Sequence, residues 1–431
     1  MSRPYKYYPK KNYQPKKAFT KWLDDRLPII RFLYEHIVSF PVPKNLNYFY
    51  TFGAVLLFML ISQIFSGIIM AMHYVPHIDM AFDSYEYTRR TVNYGWLFAS
   101  QHTVGASFFF LAAYIHIARS IYYGSYKAPR ELVWIIGLVI YFIMMAIAFT
   151  GYVLRWGMMS TTATSVISNF IGQIPFIGNY LRSLMLGSFC IGQPTLNHLY
   201  AFHIILPFIL LFFVFLHIWA IHVSGQSNPL GIAIKSNKDL EPFAPNAIMK
   251  DIIAICSFAI LFAIFVFYLP DLLQNNDNFM KGNPDMVTTH IAPEWYFLPF
   301  YSMLRCMDFN IWIINSAFAG FLVVSLAFLI LFILPWVDKS PVNSGAFRPL
   351  YKIFFYLFIV DMIILGYLGN QPVSSLITNF SQICTLYYFV FFLIIIPFIW
   401  RIEPHIKLPE SIASDVVEKR KNKERLRKNI W

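Results

Sequence analysis

Charge is scarce in this sequence. Aspartate, glutamate, lysine and arginine make up 13% of its residues, about half the roughly 25% of a soluble domain. That scarcity excludes a water-soluble globule. Cysteine is scarce too. Cys190, Cys256, Cys306 and Cys384 form no CxxC pair, so no zinc site, no iron–sulfur cluster and no covalent c-type haem are expected on the chain. The opening MSRPYKYYPKKNYQPKKAFTKW lacks a short apolar core and an Arg/Ser-rich pattern. Neither a secretory signal nor a transit peptide is expected. No repeat appears at solenoid or propeller periods.

Apolar length is abundant. Apolar residues reach 58% and the mean hydropathy is +0.54. Eight runs attain the roughly 20 residues of a spanning helix, at about 47–74, 96–122, 131–154, 196–223, 248–270, 312–335, 350–368 and 381–400. The expected fold is all-α, a polytopic membrane protein of eight transmembrane helices. A basic extension with an amphipathic surface helix (18–38) occupies 1–46, and a four-helix bundle 47–223. A loop follows at 224–247, then four more helices over 248–400 and a basic, solvated tail at 401–431. The connections 155–195 and 271–311 are long and partly apolar, so short helices on one membrane face are expected there. Eight spans put both termini on one side, with 28 of the 34 lysines and arginines. The positive-inside rule makes that side cytoplasm or mitochondrial matrix. The net charge of +12 therefore reads as topology, and nucleic acid is not an expected partner.

Histidine spacing carries the chemistry. His102 and His116 stand fourteen residues apart in the second span, and His203 and His217 repeat that interval in the fourth. Fourteen helical residues rise ~21 Å and return to nearly the same face. A buried imidazole in lipid needs a partner or a ligand. Two haems, one between His102 and His203 and one between His116 and His217, satisfy all four rings. The intervening span makes the second and fourth helices parallel, which fixes that pairing. Gly53 and Gly67 in the first span, and Gly137 and Gly151 in the third, repeat the same interval. Glycine allows close approach to a cofactor. The competing reading is a histidine-lined transporter or proton channel without haem.

The sequence resembles the cytochrome b family of quinol–cytochrome c reductases from about residue 30 to 400. The marks are PEWY (293–296) within HIAPEWYFLPFYSMLR, the histidine pairs, YYGSYKAPRE (122–131), SNPLG (227–231) and ILPWVDKSPVNSGAFRPLYKIFF (333–355). The resemblance implies two non-covalent b-type haems. It also implies oxidation of ubiquinol on the positive side and reduction of quinone on the negative side, coupled to proton translocation. Implied partners are a Rieske iron–sulfur protein, cytochrome c1, accessory subunits, membrane lipid and a second copy of the complex. The compact 155–195 region and the Phe/Ile/Tyr/Lys/Asn-rich composition favour a mitochondrial inner-membrane protein, with the bacterial plasma membrane as the alternative.

Glu294, flanked by apolar and aromatic groups, suits a proton acceptor, since burial raises a carboxyl pKa. With Tyr296, Tyr301 and Tyr152 it forms the expected quinol-oxidising set. On the negative side His222, Lys250 and Asp251 form a proton-supply set. Ser227 and Asn228 are candidate lining residues of the quinone-reducing pocket, and Arg119 a cofactor-binding candidate. Two departures from the family stand out. MMSTTATSV (158–166) replaces its usual glutamine and aromatic stretch, with Met158 and Thr161 to Ala163 in place of those residues. Ala99 and His198 occupy the places of arginines that face the positive-side haem. His198 is expected to substitute in part.

Overall fold

The computed structural model of the protein describes residues 13, 15–283, 286, 290–308, 315–404 and 406–428. Among them, eight helices are long and apolar enough to cross a membrane. They are α1 (Phe52–Ala71), α2 (Gly95–Tyr122), α3 (Glu131–Leu154), α4 (Gln193–Ser224), α5 (Ile248–Tyr268), α6 (Ser316–Val337), α7 (Pro349–Gly369) and α8 (Ser375–Val390). A π-turn at Phe391–Ile395 carries the last of these on to Arg401. Polar caps set two of the starts. Asn315 accepts the Phe318 amide at 2.8 Å to open α6, and Ser374 accepts the Ile377 amide at 3.3 Å to open α8. The sixth run was expected from 312, and residues 312–314 lie outside the described set. So do residues 1–12 of the basic extension.

The connections hold the expected short helices, Met158–Gly172 and Gly178–Leu186 before α4 and Leu298–Arg305 before α6. The surface segment differs from a single helix. It breaks into Ala18–Arg26 and Ile29–Leu33, followed by a π-turn at Tyr34–Val38. Leu27 between them is extended at φ −141° and ψ 95°, as steric clash with the following Pro28 demands. The tail is likewise helical over Ile412–Lys428, and the Ala413 amide near its start donates to Asp239 at 2.9 Å. Strands Pro41–Pro43 and Leu240–Pro242 pair antiparallel, Val42 opposite Glu241. They tie the N-terminal segment to the loop after α4.

Within a bilayer, helix association draws on packing and interhelical hydrogen bonds, because lipid is as apolar as leucine. The second half shows both. Phe358, Phe391, Phe392 and Tyr388 interlock in its core. Trp134 Nε1 donates to the Leu331 carbonyl at 2.7 Å, Tyr388 to Ala327 at 2.8 Å, and Tyr351 to Ile121 at 2.9 Å. The first two of these bonds join α3 and α8 to α6, and the third joins α7 to α2. In the first half α2 is central, with 50% of its apolar window buried, whereas α4 has 11%. The outer face of α4 is therefore a lipid- or partner-facing surface. Helix α5 closes the other flank, its Phe258, Phe262 and Phe265 gathered around Phe108.

Candidate functional site

The four helices α1 to α4 enclose a cavity of about 320 Å³. His102 from α2 and His203 from α4 face each other across it, with ring centroids 6.2 Å apart. An imidazole nitrogen lies about 1.1 Å from its ring centroid, and a metal–imidazole bond is about 2 Å. Two rings on opposite sides of one metal thus have centroids about 6 Å apart. His116 and His217 form the second pair, at 6.4 Å. The expected pairing is the one the fold makes.

The outer nitrogens of the first pair are held. Ser66 Oγ donates to the Ser62 carbonyl at 2.9 Å, so it accepts from His102 Nδ1 at 3.0 Å. His203 Nδ1 donates to the Ile147 carbonyl at 3.0 Å, with Thr150 Oγ1 at 3.2 Å. Each bond fixes the ring and leaves Nε2 as the ligating atom. The four glycines back the four imidazoles one to one. A side chain on Gly67 meets His102 at 3.0 Å, on Gly137 His217 at 3.2 Å, on Gly53 His116 at 3.6 Å, and on Gly151 it overlaps His203. Their interval of fourteen follows from that of the histidines they face. The donors, spacing and glycine-backed space fit a bis-histidine haem at each level.

Beside the first pair the cavity widens to Tyr152, Arg155, Gln274, Asn278, Glu294 and Tyr296. Burial pushes the Glu294 carboxyl up from 4.5 to about 7, against the opposing pull of the Tyr152 hydroxyl and the Arg155 guanidinium. The Tyr296 ring stacks on Phe110 at 4.0 Å, and its carbonyl accepts the Tyr114 hydroxyl at 2.5 Å. Asn278 Oδ1 accepts the amide and hydroxyl of Ser160 at 3.1 and 2.9 Å. The divergent 158–166 stretch is thus a buried helix start, pinned to the cavity wall. Tyr301 is not among the lining residues; Arg305 lies over its ring at 5.4 Å. Tyr301 stands in the helix Leu298–Arg305, none of whose residues lines the cavity.

On the other face His222, Lys250, Ser227 and Asn228 each have a partner of their own. His222 Nε2 lies 2.7 Å from the His36 carbonyl, and its ring sits 4.1 Å from Phe40. Lys250 Nζ instead donates to the Leu46 carbonyl at 2.9 Å, with Asp251 beside it in sequence. Ser227 Oγ meets Ser125 Oγ at 2.8 Å. Asn228 is buried and spends its amide on its own loop, donating to Ile232 at 2.8 Å and accepting from Leu230 at 3.1 Å. Those bonds shape the turn of its own loop. Arg119 holds its place beside the second pair, Nη2 lying 3.1 Å from His116 Nδ1.

Residues 37–225 match the family model Cytochrome b/b6/petB, and residues 281–389 match Cytochrome b(C-terminal)/b6/petD. A cytochrome b of Rickettsia conorii is 46% identical over 92% of this chain and 98% of its own length. The chain belongs to the cytochrome b family. Membership implies b-type haem and, with it, a place in a multi-subunit respiratory complex III. A Cytochrome b/c1 of Bradyrhizobium diazoefficiens is 45% identical over 95% of this chain, which spans 58% of that longer protein. A solved structure titled Hyperthermophilic respiratory Complex III is similar with a TM-score of 0.82 and 33% identity, covering 89% of this chain and 99% of its own. The relatives named are bacterial, so the mitochondrial expectation draws no support from them.

Sequence reasoning passed over Gln63, Ser66, Gln274 and Asn278. It gave Arg155 no role. His198, expected to substitute for a missing arginine, is half-buried, with Nδ1 3.2 Å from the Leu184 carbonyl, and is not a lining residue. It precedes His203 by five residues, about 140° around the helix, so it points elsewhere.

Proposed function

We propose that this chain is the di-haem, quinol-oxidising core of a quinol–cytochrome c reductase. The observation that carries this reading is one continuous cavity onto which His102, His203, Tyr152, Glu294 and Tyr296 all open. On this reading His102 and His203 hold one b-type haem near the positive side, and His116 and His217 hold a second near the negative side. When bound, haem supplies one-electron transfer at each level.

The chain's own residues do the rest. Ubiquinol enters beside Glu294. The carboxylate takes a proton from a quinol hydroxyl, whose O–H bond breaks as its electron leaves to a Rieske-type iron–sulfur partner. A carboxyl with a pKa of about 7 is ionised often enough to accept the proton and acidic enough to release it. Tyr152 faces that carboxyl. Tyr296, locked on Phe110 and by Tyr114, forms a rigid wall that keeps the quinol ring oriented. Quinone reduction is assigned to the negative face near His222, Lys250, Asp251 and Ser227, with Arg119 beside the haem of that side. A cytochrome c1 partner is supported by the relative whose name joins b and c1. A homodimer suits the sparsely buried outer face of α4. The bacterial relatives favour the plasma membrane, with termini in the cytoplasm.

The test is a reduced-minus-oxidised spectrum with a haem count on the purified protein. Two b-type haems per chain are expected, and one in His217→Leu. A chain without haem absorbance sinks this reading and leaves the histidine-lined proton channel.

A further inference from the structure

The cavity lining contains one cation, Arg155, and one carboxyl, Glu294. Arg155 ends α3 at Leu154, and the next residue, Trp156, turns the chain with a left-handed φ of 52°. The Arg155 side chain is buried. Its Nη1 donates to Gln274 Oε1 at 2.6 Å, and its plane covers Phe279 at 4.1 Å. Nε and Nη2 are buried without a hydrogen-bond partner among the described residues. A buried arginine with unmet donors is costly unless an acceptor completes it.

The neighbouring carboxylates leave the Arg155 donors unfilled. Arg89, Arg90 and Arg155 share Glu86, at 3.5, 2.8 and 3.6 Å, and Arg89 also reaches Asp271 at 3.4 Å. One Glu86 carboxylate thus serves three guanidiniums, and Arg155 holds the longest of those contacts; Glu294, in the same cavity lining, is the other carboxyl its charge reaches. The Glu86 contact to Arg155 is beyond hydrogen-bond length, so it does not fill the free donors. A b-type haem carries two propionate carboxylates, and one held by His102 and His203 would share the cavity that Arg155 lines. Neither Ala99 nor His198 lines it.

We infer that Arg155 is the positioning cation for a carboxylate of the haem held by His102 and His203. This rests on the haem assignment above and adds a residue to it. A planar guanidinium with two free donors suits a carboxylate, which it can grip at two points. Its charge also favours the more negative, reduced state of the haem.

The experiment is a redox titration of the membrane-embedded complex carrying Arg155→Gln or Arg155→Lys, followed by b-haem absorbance. The haem in question is the one whose signal disappears in His203→Leu. In Arg155→Gln its reduced-to-oxidised ratio at fixed potential should fall about tenfold, a drop of about 59 mV for a one-electron couple. The other haem should hold its potential. Arg155→Lys keeps the charge and should recover most of the loss; it also carries the test if the glutamine variant fails to assemble. Unchanged potentials in both variants overturn the inference, as does an equal fall in both. An unchanged potential with a raised KM for quinol assigns the guanidinium to the quinol head group and overturns it too. Failure of the haem assignment reads differently, as a haem count unaffected by His203→Leu.

Discussion

Gly151 and Gly53 make different demands, although the sequence presents them alike. A Cβ on Gly151 overlaps the His203 imidazole, whereas on Gly53 it reaches His116 at an ordinary 3.6 Å. Alanine scanning of the four positions should therefore give a graded loss of haem. Gly151→Ala should lose most, then Gly67→Ala and Gly137→Ala, with Gly53→Ala near normal. A haem count per chain in each variant reads the order, and equal retention in all four makes these glycines ordinary packing residues. Glu294 is the second residue whose surroundings set its behaviour. It accepts a proton only when ionised. With a pKa near 7, its ionised fraction rises from about a tenth at pH 6 to about nine-tenths at pH 8. Quinol oxidation should climb through that window in the native protein. Glu294→Gln should slow it by about 10²–10⁴ and flatten the climb, with haem content unchanged. A native-like profile in the variant removes Glu294 from the proton path.

At the scale of elements, the two halves are fastened by buried charge at the negative side. Lys127, after α2, donates to the Ser340 carbonyl at 2.8 Å and pairs with Asp338, after α6, at 3.0 Å. Asp338 also accepts the Tyr126 hydroxyl at 2.6 Å, and Arg348 before α7 pairs with Glu403 beyond α8 at 2.7 Å. Removing one member strands the other charges in a dry site. Asp338→Asn should cost about 3–5 kcal/mol, read as a lowered unfolding temperature in detergent. A loss below about 1 kcal/mol means that water reaches the cluster. All of these residues but Glu403 stand within the family marks, yet the sequence gives no hint that they meet. The spans are legible because lipid demands about 20 apolar residues wherever a helix crosses. The histidine pairs are legible because a helix repeats its face at fourteen residues. The meeting of Arg155 with Gln274, and of Asn278 with Ser160, depends on loops folding back over the bundle, and no periodicity records that. His198 lies outside the cavity lining because nearness in sequence to a ligand is not nearness around a helix.

At the scale of the whole molecule, eight crossings and the bias of 28 cationic residues to one side predict an orientation that the cysteines can report. Cys190 is exposed in the connection before α4, on the face opposite both termini. Cys256 is exposed as well, but it lies within α5, where exposure means contact with lipid. Cys306 and Cys384 are buried. A charged, membrane-impermeant maleimide needs a water-accessible thiolate and cannot enter hydrocarbon. Added outside sealed, right-side-out vesicles of a bacterial host, it should label Cys190 and leave Cys256 unmodified. A tag at the C-terminus should be reached only after the vesicles are opened. In Cys190→Ser, external labelling should vanish. Labelling of Cys190 solely from the inside inverts the topology and puts the Glu294 cavity on the negative side, where a proton released from quinol does not add to the gradient.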